Sequence, residues 1–237
     1  MRKHRVLPLI CRLVAVILFL GLASCVTAPK PLTGIIPGRT VETLSSAVSI
    51  SVTKGEQGSG GRGYLVFRTP DRFHLVLLSP FGITLLEVFS DGDRLTCLLP
   101  GKGVAYSGRI EELPDRDGIR SWGLMRWVVD LPPALGPARF REQVSSSGIR
   151  EKIYYDERGL VTRKVNDLGD EVQYYDYSVV NGVPLPEVIE IVSATGETVR
   201  ITLSEPEVNQ PLEDSMLRAN LEGVKVLPFS AFKGFGG

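Results

Sequence analysis

The chain has 237 residues, is 43% hydrophobic and 23% charged, and carries no formal net charge. It can bury a substantial core and is not a disordered tail. Arg2, Lys3, Arg5 and Arg12 stand in the first 24 residues without an acid, which leaves the rest of the chain acidic by four charges. That mild acidity argues against a nucleic-acid partner, since phosphate binding needs a basic face.

The chain opens as a secretion signal. After the four basic residues comes the apolar run 13–22, LVAVILFLGL. A run of that length is about half of what a helix needs to cross a bilayer, so it reads as a signal core and not as a span. Leu22-Ala23-Ser24-Cys25 follows and matches the bacterial lipobox. The match implies diacylglyceryl transfer to the Cys25 sulfur, cleavage before it and acylation of the new amino terminus. The bland alternative is an ordinary signal peptide cut at a small residue, with Cys25 incidental. Two or more acyl chains give lasting attachment to a membrane surface without spanning it. Val26 stands where an aspartate would suggest inner-membrane retention, so the expected site is the outer membrane, facing the periplasm. The covalent lipid on Cys25 is the only attached group expected, with no cofactor.

Residues 26–40 carry three prolines and no apolar period, which reads as a tether; 25–42 is taken as the lipidated linker. A weak helical start is expected around 40–47. Strands are then predicted at 47–54, 62–69, 72–79, 83–90, 93–99 and 103–107, separated by turn signals such as Gly-Ser-Gly-Gly (58–61), Asp-Gly-Asp (91–93) and Pro-Gly-Lys-Gly (100–103). One helix is predicted within 120–131, capped by Ser121 and ended before Pro132-Pro133. Six more strands follow at 138–146, 149–156, 159–166, 170–179, 185–193 and 197–204, and a short helix at 212–218. Twelve strands with one or two helices predict a mainly β protein, a single curved antiparallel sheet with a helical cover.

The faces of these strands differ. Val199, Ile201 and Leu203 point one way and Thr198, Arg200 and Thr202 the other, which predicts one wet face. Strands 72–79 and 83–90 are apolar on both sides, so they are either covered twice or line a cavity as well as a core. A concave apolar face roofed by the helix that holds Trp127 suits acyl chains. The hairpin between those two strands, Ser79-Pro80-Phe81-Gly82, puts a phenylalanine where turns usually place small polar residues. Phe81 either folds back over the hairpin or stays exposed for a purpose.

Chemistry for catalysis or metal binding is sparse. Beyond the signal the chain has one histidine, His74, and one cysteine besides Cys25, Cys97. These cannot build a four-ligand zinc site, and Cys97, alternating with leucines, reads as a buried inert thiol. A Cys97–His74 nucleophilic pair lacks any orienting or oxyanion element. No nucleophile elbow, phosphate loop or dinucleotide fingerprint occurs. No catalytic residue and no metal site are therefore expected.

The order of landmarks resembles the LolB family of outer-membrane lipoprotein receptors, and more broadly the LolA/LolB fold. It runs from the lipobox through Arg72-Phe73-His74-Leu75 and Ser79-Pro80-Phe81-Gly82-Ile83-Thr84-Leu85 to Tyr106-Ser107-Gly108, then Leu124-Met125-Arg126-Trp127 with Leu131-Pro132, and finally Leu185-Pro186 and Val199 to Leu203. The resemblance covers most of 43–205 and leaves 206–237 as an extension. Two departures stand out: Asp130 replaces the usual glycine, and the Gly-Trp before the Tyr174/Tyr177 strand is missing. The resemblance implies an incomplete antiparallel barrel of about 11–12 strands closed by a few short helices. It implies a monomer whose inner face takes acyl chains of lipoproteins from a LolA-like periplasmic carrier. In that frame Pro80, Phe81 and Gly82 form a loop that enters outer-membrane lipid, and Ile189, Ile191, Val199, Ile201, Leu203 and Trp127 line the acyl cavity. A structural envelope lipoprotein, or a carrier of another lipid or glycolipid, is the alternative.

Overall fold

The computed structural model describes residues 31–114, 124–134, 136–144 and 149–234. From Leu32 onward the chain forms one unit. It holds a thirteen-stranded sheet in the order β13-β6-β5-β4-β3-β2-β1-β12-β11-β10-β9-β8-β7. The strands are β1 (Thr43–Lys54), β2 (Gln57–Arg68), β3 (Arg72–Leu78), β4 (Thr84–Asp91), β5 (Arg94–Leu99), β6 (Val104–Arg109), β7 (Phe140–Val144), β8 (Arg150–Tyr155), β9 (Val161–Asn166), β10 (Glu171–Val180), β11 (Val183–Val192), β12 (Glu197–Val208) and β13 (Lys225–Leu227). The first six form one antiparallel meander and β7–β12 a second, and the two join where β1 pairs β12. The ends of the sheet, β13 and β7, do not pair, so the barrel stays open.

Every predicted strand is present, with two corrections. The helical start expected at 40–47 is instead the beginning of β1, because Leu44, Ser46, Val48 and Ile50 are buried at period two. The thirteenth strand, β13, has no counterpart among the twelve predicted strands. It lies parallel to β6 and has three residues. Of the predicted 120–131 helix, residues 120–123 lie outside the described residues, and the described part is one short helix, α1 (Met125–Val129). The predicted 212–218 helix is a 3-10 turn, Asp214–Leu217.

The core lies on the concave side. Ile189 pairs with Ile201, and Ile201 with Ile50, so three isoleucines line up across the seam of the two meanders. All three are buried, each worth about 1.5–3 kcal/mol of hydrophobic transfer. From the concave side α1 adds Met125, Val128 and Val129 to the same cluster. Among the described residues the buried hydrophobic core runs from Val41 to Phe232, within the compact unit that starts at Leu32.

Strand β2 is glycine-rich where it faces β1 and β3. A Cβ on Gly63 would stand 1.7 Å from the carbonyl oxygen of Val76, closer than any real contact. The missing side chain lets β2 and β3 approach at that point.

The segment after β12 explains why β3 and β4 are apolar on both sides. Alternation puts Phe73 and Leu75 on the concave face and His74 on the convex one. His74 Nδ1–H donates to the Met216 carbonyl at 2.9 Å, and Arg68 donates to the Leu212 carbonyl and to Asp214. These contacts fix the 3-10 turn on the convex face of β2 and β3. There Val66, Phe89 and Leu98 are buried, and the His74 ring stacks on Phe89 at 4.0 Å. The chain then reaches the edge of β6 as β13 and turns inward. Phe229 and Phe232 join the concave core, Phe232 meeting Tyr106 edge-on at 5.1 Å. Gly108 leaves the room for this: a Cβ there would come within 3.0 Å of the Phe229 ring.

Candidate functional site

A cleft of about 1330 Å³ opens between α1 and the sheet, where the barrel fails to close. Its apolar wall is Val41, Phe67, Leu113, Leu124, Val129 and Leu131, and its polar wall includes Asp71, Arg109, Gln143, Glu151 and Asp170. Trp127 also lines it. The other five residues expected at a cavity, Ile189, Ile191, Val199, Ile201 and Leu203, are buried in the core and are not among the cleft's lining. The structure thus places Trp127 at the cleft and the other five deeper.

The roof is held by polar groups that sequence reasoning missed. Residues at the C-terminal end of a helix have carbonyls without intrahelical partners. Lys164 Nζ donates to the carbonyls of Trp127 and Asp130, each at 2.7 Å, and Tyr174 donates to the Val128 carbonyl at 2.9 Å. The Trp127 indole donates to Glu151, which also accepts from Gln143. The Lys164 side chain is 0% exposed, and burial holds its ammonium below the usual lysine range, against the pull of Asp130 and Glu151. Burial likewise keeps the Tyr174 phenol protonated well above its ordinary range. Nothing in the linear order singles out Lys164. The signal available was that position 164 falls on a strand packed beneath the helix.

At the far end of β3 the loop 79–83 is tightly built. Ser79 closes it with three acceptor contacts: its carbonyl takes Gly82 N–H at 2.9 Å, and its hydroxyl takes the N–H groups of Phe81 at 3.3 Å and Ile83 at 3.1 Å. Gly82 has φ +79°, the left-handed conformation a three-residue hairpin loop asks of its last position. Pro80 precedes Phe81 in this frame, and the Phe81 ring is 90% exposed. It does not fold back over the hairpin.

His74 and Cys97 lie on opposite faces of the sheet. Cys97 pairs with Val88 and that residue with Leu75, all buried on the concave side, and His74 is convex. Burial pushes the Cys97 thiol up to about 12. The two therefore do not form a nucleophilic pair. Among the described residues no group of acidic, histidine or cysteine side chains can hold a metal ion, and no helix is long and apolar enough to cross a membrane. Cys25 lies outside the described residues.

The family model described as outer membrane lipoprotein LolB matches residues 43–205. The chain belongs to the LolB family. LolB is an outer-membrane lipoprotein family of lipoprotein localisation, and the match spans all of the sheet except β13 and the last residues of β12. Among solved structures the chain is similar to a LolA superfamily protein from Nitrosomonas europaea. That match has a TM-score of 0.52 and 11% identity, covering 78% of this chain and 93% of that one. It is also similar to a DUF1329 family protein from Desulfovibrio piger, with a TM-score of 0.52 and 13% identity, covering 76% and 90%. At such identities these two likenesses speak for the fold. No curated protein matches the chain in sequence. The Phe229–Phe232 segment that completes the concave core lies beyond the part the LolB model matches.

Proposed function

We propose that this protein is held at the periplasmic face of the outer membrane by lipid on Cys25, takes lipoproteins from a LolA-like carrier and releases them into the membrane. The observation that carries the reading is the pairing of two features in one LolB-family sheet. A helix-roofed cleft with an apolar wall opens on the concave side, and an apolar loop is braced outward at the end of β3. The cleft suits an acyl chain because its apolar wall gains about 25 cal/mol per Å² removed from water. Trp127 and its apolar neighbours would receive the chain first. Ile189, Ile191, Val199, Ile201 and Leu203 would be reached on a shift of α1, a helix of only five residues. Handover is driven by affinity and needs no bond chemistry. Pro80, Phe81 and Gly82 then serve delivery: a phenylalanine entering the interface gains about 1–3 kcal/mol.

The test is native mass spectrometry of the chain from Leu32 on, mixed with a LolA-like carrier loaded with a lipoprotein. One-to-one transfer onto the chain is expected, with Phe81→Glu sparing transfer but blocking release into liposomes. No transfer, with no lipid bound, would remove the reading in favour of a structural envelope role.

A further inference from the structure

Three tyrosines of the second meander pack with the concave core, and their hydroxyls meet different surroundings. Tyr174 donates to the Val128 carbonyl at 2.9 Å and Tyr177 to the Val161 carbonyl at 2.7 Å. Tyr155 is only 6% exposed, and its buried hydroxyl has no hydrogen-bond partner among the described residues. A buried donor without an acceptor has lost its hydration and gained nothing in return.

A second orphaned donor lies beside it. On β7 the side chains of Arg141 and Gln143 turn inward, while Phe140, Glu142 and Val144 are exposed. Arg141 pairs with Ile153, two residues from Tyr155 on the same buried face of β8. The arginine is thus a diagonal neighbour of the tyrosine, within reach of a long side chain. Arg141 Nε is buried and likewise has no partner, and Nη2 donates to a neutral group, the Gln143 side-chain oxygen, at 2.6 Å. Nearby Arg139 and Lys152 hold the carboxylates of Glu157 and Glu142, whereas Arg141 is in no ion pair among the described residues.

These donors stand at the polar end of the cleft. Gln143 and its ladder partner Glu151 line it, as does Asp130 at the end of α1. Burial holds the Tyr155 phenol protonated above its ordinary range, and the charges that act on it are those of Arg141, Asp130 and Glu151. The hydroxyl therefore sits among them, one layer behind the wall. Arg141 and Lys164 balance Asp130 and Glu151 in charge. Both carboxylates are also engaged, Glu151 by Trp127 and Gln143, and Asp130 at 3.8 Å from Lys164. Two unfilled donors in a balanced setting call for a neutral acceptor oxygen. The apolar wall of the same cleft calls for a hydrocarbon chain attached to it. The carbonyl of an acyl ester or amide meets both demands.

We propose that Tyr155 and Arg141 form a subsite for the carbonyl oxygen of a bound acyl group, entered from the cleft past Gln143. The proposal rests on the reading that the cleft takes acyl chains, and adds that the protein recognises the linkage as well as the chain. The test is calorimetric titration of the unit from Leu32 to Gly237, which holds the described core, with monodecanoylglycerol and with its ether analogue decylglycerol, which lacks the carbonyl. The ester should bind about tenfold more tightly, the worth of one satisfied buried donor. Tyr155→Phe should lose most of that ratio by weakening the ester alone, and Arg141→Met should act in the same direction. Tyr177→Phe should leave the ratio unchanged. Because its hydroxyl has no partner to lose, Tyr155→Phe should melt no lower than the native protein. Decanoate should bind no more tightly than the ester, since the site's own charges already balance. Equal binding of ester and ether, as expected of a site filled by water alone, overturns the subsite and leaves the acyl cleft standing. So does an equal loss of the ratio in Tyr177→Phe, a lower melting point in Tyr155→Phe, or tighter binding of decanoate. Binding of none of the three lipids removes the acyl reading of the cleft together with the subsite. Ester preference without transfer from the carrier would fail only the reception reading.

Discussion

Lys164 and Trp127 are locked together from two sides. The lysine ammonium donates to the tryptophan carbonyl at 2.7 Å and also lies 5.4 Å from the centroid of its ring. A fully buried cation thus supplies the donors that the end of α1 lacks, and positions the one predicted cavity residue that reaches the cleft. Replacing it with methionine keeps the volume but leaves the Trp127 and Asp130 carbonyls without that donor. Lys164→Met should cost about 1–3 kcal/mol of stability and loosen the roof, read as faster hydrogen exchange in 124–131.

The same lysine gives a pH signature. Its folded pKa is lowered by burial, so the penalty for its charge is full while both states are protonated. That penalty fades as pH rises from the folded value toward about 10.5, where the unfolded lysine titrates. The stability of the native protein relative to Lys164→Met should therefore rise with pH across that window. Tyr174 and Tyr177, kept protonated by burial, act oppositely above about pH 10, where unfolded tyrosine ionises. Both proteins share that loss, so it cancels in the difference. Melting curves of the pair between neutral and alkaline pH check the sign.

Gly63 should tolerate nothing larger. With the Val76 carbonyl where its Cβ would be, Gly63→Ala forces β2 and β3 apart and should cost at least about 3 kcal/mol. Gly101→Ala, with nothing within 4 Å and no positive φ, should stay within about 0.5 kcal/mol. Urea denaturation of the two variants makes the comparison direct.

The tail is part of the domain. Phe229 is buried against Gly108, so Phe229→Ala should cost about 3–5 kcal/mol. Its cost should exceed that of Met216→Ala, whose side chain is exposed. A melting shift no larger than that of the Met216 variant would mean the tail merely rests on the sheet.

Cys97 should be silent. With its thiol raised to about 12 by burial, almost no thiolate exists near neutrality. Iodoacetamide at pH 8 should label the chain from Leu32 on only after denaturant is added.

What the sequence determined by itself was local. Strand alternation in Val199 to Leu203 and the turn Ser79-Pro80-Phe81-Gly82 are written into neighbouring residues, because the period-two pleat and the demands of a hairpin loop act over a few positions. Alternation marked β3 and β4 as apolar on both faces, but what covers the convex face is decided by residues 142 positions away, Met216 on His74, and what covers the concave face includes α1. The same holds for Lys164, an ordinary charge in its strand until α1 is laid across it. The Phe229 and Phe232 insertion and the small gap at Gly63 are likewise invisible in the linear order. Burial, ion environment and close approach belong to partners that only the folded sheet brings together. For that reason the tertiary structure alone decided that the five deep apolar residues sit in the core, Trp127 at the cleft and Phe81 in solvent.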